Sequence, residues 1–125
     1  EVSRLLDKYH LRDDFVLCGA DDNPYRYMKR AKAVMVLSDH ESWSLVISEA
    51  KLLGVPVIAT NTSGAQEQIR NGENGVITSF DPEEIAEKII DFLQDEKLQE
   101  HIRKNLEKES AFDTGIGEFE RLVGC

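Results

Sequence analysis

The chain has 125 residues, 41% of them hydrophobic and 31% charged, with a formal net charge of −9. That length suits one domain able to bury a core, and the composition argues against a disordered or low-complexity chain. The acidic balance argues against nucleic acid as a partner and against a polybasic membrane surface, because phosphate-rich surfaces demand clustered Lys and Arg.

Cys18 and Cys125 are too few for a disulfide framework, so they are read as buried or free thiols, and a reducing, cytoplasmic setting is expected. No apolar run reaches the ~18 residues that cross a bilayer, and no signal-peptide pattern is present. The chain starts at Glu1 rather than Met, and the expectation is a single domain over 1–125 cut from a longer protein.

Helix and strand signals alternate along the first two thirds. Val2, Leu5, Leu6 and Tyr9 at helical spacing predict a first helix, and Phe15-Val16-Leu17-Cys18 predicts a short buried strand closed by Gly19. Asn23-Pro24 opens a second helix with inner residues Tyr27, Met28 and Ala31, followed by a strand over 33–37. A helix over 44–53 stops at Gly54, and a strand over 55–60 follows, with Pro56 near its start where a missing donor is tolerated. Residues 65–70 predict a short helix ended by Asn71-Gly72, and 75–78 a weaker fourth strand.

Beyond Phe80 the pattern is purely helical. Asp81-Pro82-Glu83-Glu84 predicts a capped helix start, with Ile85, Ala86, Ile89, Ile90 and Leu93 as its inner face. Asp95 caps another helix lined by Leu98, Ile102, Asn105 and Leu106, and 113–125 carries a weaker helical pattern interrupted by Gly115 and Gly117. Short apolar strands separated by helices imply an α/β fold, a parallel sheet covered on both faces, with ligands beyond the carboxyl ends of its strands. The loops over 19–23, 38–43 and 61–65 lie at that edge.

The strongest chemical signal lies in Glu41-Ser42-Trp43-Ser44-Leu45-Val46-Ile47-Ser48-Glu49-Ala50. At about 100° per residue, Glu49 falls roughly 40° from Leu45 and roughly 40° from Leu53, inside an apolar stripe, while Ser44, Ser48 and Lys51 cluster opposite. An acid so placed must be satisfied, either by ligand hydroxyls or by a neighbouring Arg or backbone N–H. The helix start after the 38–43 loop attracts phosphate through its open amides; the alternative is that Ser42 or Ser44 merely caps it, with Glu41 complementing its dipole.

Other candidates are weaker. His10, His40 and His101 lack metal-ligand spacing, so neither a metal site nor a cofactor is expected. Thr62-Ser63-Gly64 is read first as a turn before a helix, and Trp43 first as core packing.

These residues resemble a known family. The Glu41 to Ala50 stretch preceded by His40, then Gly54-Val55-Pro56-Val57-Ile58-Ala59-Thr60, Gly64-Ala65-Gln66-Glu67-Gln68-Ile69 and Asn71-Gly72-Glu73-Asn74-Gly75, resemble the C-terminal domain of group 1 (family 4) glycosyltransferases in order and spacing. The resemblance runs from about Phe15 to the end. It implies the GT-B fold, two Rossmann-like domains with a nucleoside diphosphate sugar donor held by the C-terminal one, and sugar transfer with retention. On that resemblance Glu49 matches the acid that accepts hydrogen bonds from the ribose hydroxyls, and Glu41 the catalytic-site acid near the donor sugar. Ser44, Leu45 and Val46 sit at the helix start whose amides meet the diphosphate, and the loop after Gly19 receives the base.

The sequence also departs from the family pattern. The usual Phe-Gly pair reads Trp43-Ser44, and the family's donor-domain Arg and Lys lie upstream of anything present. The resemblance further implies an N-terminal acceptor domain outside these 125 residues, so the chain alone is not expected to transfer sugar. A non-catalytic nucleotide-sugar-binding module remains the alternative. A phosphoacceptor receiver domain fits poorly, because the strand ends carry Gly19, Ser38 and Thr60 where that fold needs acids and a Lys.

Overall fold

The computed structural model describes residues 2–20 and 23–110. Helix α1 (Val2–Lys8) leads through a 3-10 turn (Arg12–Asp14) to α2 (Tyr25–Arg30) and β1 (Val34–Val36). Then come α3 (Leu45–Leu52), β2 (Val57–Thr60), α4 (Ser63–Gln68), β3 (Val76–Thr78), α5 (Pro82–Gln94) and α6 (Glu96–Ser110). The expected helix over 113–125 lies outside the described residues.

All three strands are parallel, in the order β1-β2-β3, with Val34 opposite Val57 and Ile58 opposite Val76. Every residue of β2 is buried, as a central strand covered on both faces requires. Its alternation divides the core. Val57 and Ala59 pack with Ile47 and Ala50 of α3, Ala65 of α4 and Ile69 on one face, while Ile58 packs with Val76, Phe92, Ile102 and Leu106 on the other. The expected parallel α/β sheet is therefore present.

Local chemistry explains the element ends nearest the sheet edge. Ser44 caps α3 and Gly54, at φ +75°, supplies the left-handed residue that turns the chain back into β2. Thr62 caps α4 by accepting the Ala65 N–H at 3.1 Å, which starts that helix two residues before the predicted position. Asp95 caps α6 as expected, accepting the Leu98 N–H at 3.0 Å.

Four expectations are corrected. Phe15-Val16-Leu17-Cys18 forms no strand, and Val16 is 85% exposed. Its backbone enters extended at Phe15, but a strand needs a hydrogen-bonded neighbour and this segment has none among the described residues. The inner face of α5 is Ile85, Ile89 and Phe92 rather than the predicted stripe; Ala86, Ile90 and Leu93 point outward. Asp81 makes no side-chain cap; Ser79 Oγ accepts its N–H at 3.3 Å and donates to Glu84 at 2.8 Å instead. Trp43 is 55% exposed rather than core.

The arrangement of α3 also differs from the angular argument. Leu45 is 69% exposed, so the stripe around Glu49 is not core, and Glu49 is half-buried. The Ser44, Ser48 and Lys51 side instead faces α4, where Gln68 engages all three. A helix can turn polar residues inward when a partner satisfies them, and Gln68 is that partner.

Candidate functional site

The carboxyl ends of the three strands open onto a cavity of about 570 Å³. Asp39 to Ser42 line it from the loop after β1, Asn61 to Ser63 from the loop after β2, and Phe80 from beyond β3. Two of the three expected loops thus meet here. Gly19, exposed and at φ +70°, is not among the lining residues, and Asp21 and Asp22 of its loop lie outside the described residues.

Glu41 is half-buried and lines this cavity. Its backbone is tied to α4, because its carbonyl accepts the Gly64 N–H at 2.7 Å and the Ser63 hydroxyl at 3.2 Å. Glycine is required for that approach. A Cβ on Gly64 would lie 2.8 Å from the Glu41 carbonyl oxygen and 2.9 Å from the carbonyl carbon of Ser42. Below, the Thr60 hydroxyl donates to the carbonyls of Ser38 and Val36, fixing the start of the same loop.

The start of α3 follows directly. Ser44 is buried; its Oγ accepts the Ile47 N–H at 3.2 Å, and its own N–H goes to Gln68 Oε1 at 2.8 Å. The amides of Leu45 and Val46 make no hydrogen bond among the described residues, and both residues are exposed. Of the three expected anion-binding positions, Ser44 is the cap, while Leu45 and Val46 present the open donors of a helix N-terminus. None of the three lines the cavity itself.

Glu49 lies one turn further along α3 and outside the cavity lining. Among the described residues its carboxylate forms no ion pair with a basic side chain, and its charge acts on the hydroxyl of Tyr25 in α2. Burial raises the Tyr25 pKa above 10.0, and the charge and hydrogen bond of Glu49 raise it further.

A second cavity of about 310 Å³ lies behind α3, lined by Trp43, Lys51, Glu67 and Glu109 among others. Glu109 accepts hydrogen bonds from Asn74 at 2.8 Å and Arg70 at 2.9 Å, with Lys51 Nζ 3.6 Å away. Burial alone would raise its pKa, but the Asn74 hydrogen bond and the Lys51 and Arg70 charges outweigh it and hold the carboxyl below 4.5. This cluster ties α6 to α3 and the turn before β3.

Sequence reasoning missed Phe80, Tyr25 and Gln68, and placed Asp39 only within the edge loop over 38–43. Phe80 was within reach, since it follows the fourth predicted strand and the rule that selected the other loops covers it. Gln68 gave no such signal; its partner Ser44 is 24 positions away. Among the described residues, no His, Cys, Asp and Glu group of three or more is placed to hold a metal ion, and no helix is long and apolar enough to cross a membrane.

Comparison with known proteins sets this geometry in a family. The model of the family "Glycosyl transferases group 1" matches residues 1–109. N-acetyl-alpha-D-glucosaminyl L-malate synthase of Bacillus anthracis is 29% identical over 113 residues, covering 90% of this chain and 29% of that protein. The capsular polysaccharide biosynthesis glycosyltransferase CapM of Staphylococcus aureus is 35% identical over 104 residues, covering 81% of this chain and 27% of CapM. The chain thus spans less than a third of the length of these relatives.

Solved structures agree on the fold. Anabaena HepE, crystallised in complex with UDP, superposes with a TM-score of 0.83 at 22% identity, over 98% of this chain and 34% of HepE. Sucrose-phosphate synthase from Thermosynechococcus elongatus gives a TM-score of 0.80 at 26% identity, over 98% of this chain and 31% of the synthase. The parallel sheet, its helical layers and the matched family together make this chain a member of the group 1 glycosyltransferases, with the Rossmann-like architecture of the GT-B fold.

Proposed function

We propose that the chain is the donor-binding part of a retaining glycosyltransferase and holds a nucleoside diphosphate sugar at the carboxyl edge of its sheet. The observation that carries this reading is the pair of open amides at Leu45 and Val46, on the helix that follows the cavity-lining loop of Glu41. An anion at a helix N-terminus meets both the unsatisfied N–H groups and the positive end of the dipole. Glycosyl transfer from such a donor releases a nucleoside diphosphate, and charge developing on that leaving group is what these donors stabilise.

The roles proposed here are those that the family resemblance implies for these positions. Leu45 and Val46 receive the diphosphate through their backbone, with Ser44 capping the helix that aims them. Glu49 accepts hydrogen bonds from the ribose hydroxyls, exchanging its contact with Tyr25 for the ligand. Glu41 meets the donor sugar in the cavity, and the loop after Gly19 receives the base. HepE, solved with UDP and with UDP-glucose, supports a uridine donor as the first to try.

Transfer itself needs an acceptor site, which we place in an N-terminal domain of a longer polypeptide. The chain alone is expected to bind donor without turnover. A cytoplasmic location fits a nucleotide-sugar substrate and the free, exposed thiol of Cys18. The test is calorimetric titration of the complete gene product with UDP sugars. Glu49→Ala is expected to weaken donor binding by about 1–3 kcal/mol, the scale for a lost charged hydrogen bond. An unchanged affinity removes the ribose role, and donor binding without transfer by the complete protein favours a binding module.

A further inference from the structure

Gln68 is only 4% exposed, yet its carboxamide is fully used. Its Oε1 accepts the Ser44 N–H at 2.8 Å, and its Nε2 donates to the Ser44 carbonyl at 2.9 Å and to Ser48 Oγ at 3.0 Å. The orientation of the amide is set by these partners, because an N–H needs an acceptor and a carbonyl needs a donor. The contact grips both backbone groups of one residue, as a neighbouring strand would.

Gln68 does not act alone. Gly64, one helical turn earlier on α4, donates its N–H to the Glu41 carbonyl at 2.7 Å. A single rigid turn of α4 therefore holds both ends of the Glu41–Ser44 segment: the half-buried acid that lines the cavity, and the residue that caps α3. Thr62 and Ala65 fix that turn in its own place, through the cap and through burial in the core.

We propose that Gln68 is a positioning residue for donor binding, which sets the direction of the open amides of Leu45 and Val46 and keeps the Ser44 N–H out of the anion site. The inference rests on the reading of that helix start as the diphosphate site. Glutamine suits the task because one planar group offers an acceptor and donors together. Glutamate at the same position lacks the donors, and an aliphatic chain lacks both.

The test compares UDP with uridine on Gln68→Met, which keeps side-chain length and removes the hydrogen bonds. A positioning role predicts a UDP Kd raised about tenfold or more, on the scale of a lost charged hydrogen bond. The uridine Kd is expected to stay within about twofold, since on this reading the nucleoside meets Glu49 and the loop after Gly19 rather than the amides that Gln68 aims. In the ligand-free protein, hydrogen exchange at the Ser44 amide is expected to accelerate. Should Gln68→Met fail to fold, Gln68→Asn, one methylene short of Ser44, takes its place with the same expectations. Folded variant that binds UDP as the wild type does overturns the inference alone, and so does equal loss of UDP and uridine. Wild-type protein that binds no nucleoside diphosphate overturns the site reading and this inference with it.

Discussion

The hydroxyl of Tyr25 in α2 faces the carboxylate of Glu49 in α3 closely enough that the acid's charge helps to hold the phenol neutral. A phenol can be displaced by a ligand hydroxyl without stranding a buried charge, whereas an Arg partner would leave an unpaired cation.

That pairing gives the first prediction. Burial and then the Glu49 charge and hydrogen bond raise the Tyr25 pKa, so the neutral phenol is favoured. Its contribution to stability is full below the ordinary tyrosine range and is lost as pH rises through the raised value. Glu49→Gln removes the charge, and the Tyr25 ring, followed by NMR pH titration, is expected to titrate at lower pH than in the wild type. An unmoved titration contradicts the contact.

Ser44 is tested through its cap. Ser44→Ala removes the acceptor for the Ile47 N–H, and loss of an N-cap is expected to cost about 1 kcal/mol by denaturant unfolding. Ser44→Gly should recover most of this, because glycine is itself tolerated at the cap position. Equal loss in both variants would point to packing instead.

Gly64 and Gly54 separate two reasons for glycine. At Gly64 an added Cβ meets the backbone of Glu41 and Ser42 at 2.8 and 2.9 Å, so Gly64→Ala forces the loop away and is expected to lose roughly 1–3 kcal/mol together with donor affinity. At Gly54 a Cβ meets nothing, but φ is +75°, so Gly54→Ala is expected to cost about 1–2 kcal/mol of stability and leave affinity intact. Calorimetry beside urea melts distinguishes the two; matching affinities for both variants would contradict the loop's role.

Glu109 provides the pH prediction. A carboxyl held below its ordinary 4.5 contributes stability that is present above that value and lost as pH falls through the lowered one. Glu109→Gln is therefore expected to be less stable than the wild type at neutral pH, with the difference shrinking on acidification. A difference that stays constant from neutral pH down through the acid range would show that charge plays no part.

The fold was legible where the governing interactions are local. The limits of α3 rest on Ser44 and Gly54, and those of α6 on Asp95, and each acts within four residues of its own position. The apolar strands β1 and β2 were equally plain as unbroken apolar runs; burial on both faces explains the run in β2, whereas Met35 of β1 is 53% exposed. Phe15 to Cys18 has the same composition but no neighbouring strand, and pairing is not written in a segment's own residues. On α5, apolar residues occupy more than one stripe, so spacing alone did not select Phe92 over Leu93.

The site divides in the same way. Glu41 and the open start of α3 were visible as a strand end followed by a helix. The clamp that aims them was not, because Gln68 and Gly64 reach their partners across more than 20 positions of chain. Glu49 was found by an angular argument that placed it in a core stripe; it is half-buried instead, because α3 turns its serine side toward α4.

The central claim is that a nucleoside diphosphate is bound by the open amides at the start of α3, and amide-resolved NMR titration of the 125-residue chain with UDP tests it most directly. The account predicts that the largest shifts fall on the amides of Leu45 and Val46 and that the Ser44 amide stays protected by Gln68. Saturable UDP binding that leaves Leu45 and Val46 unmoved would contradict it.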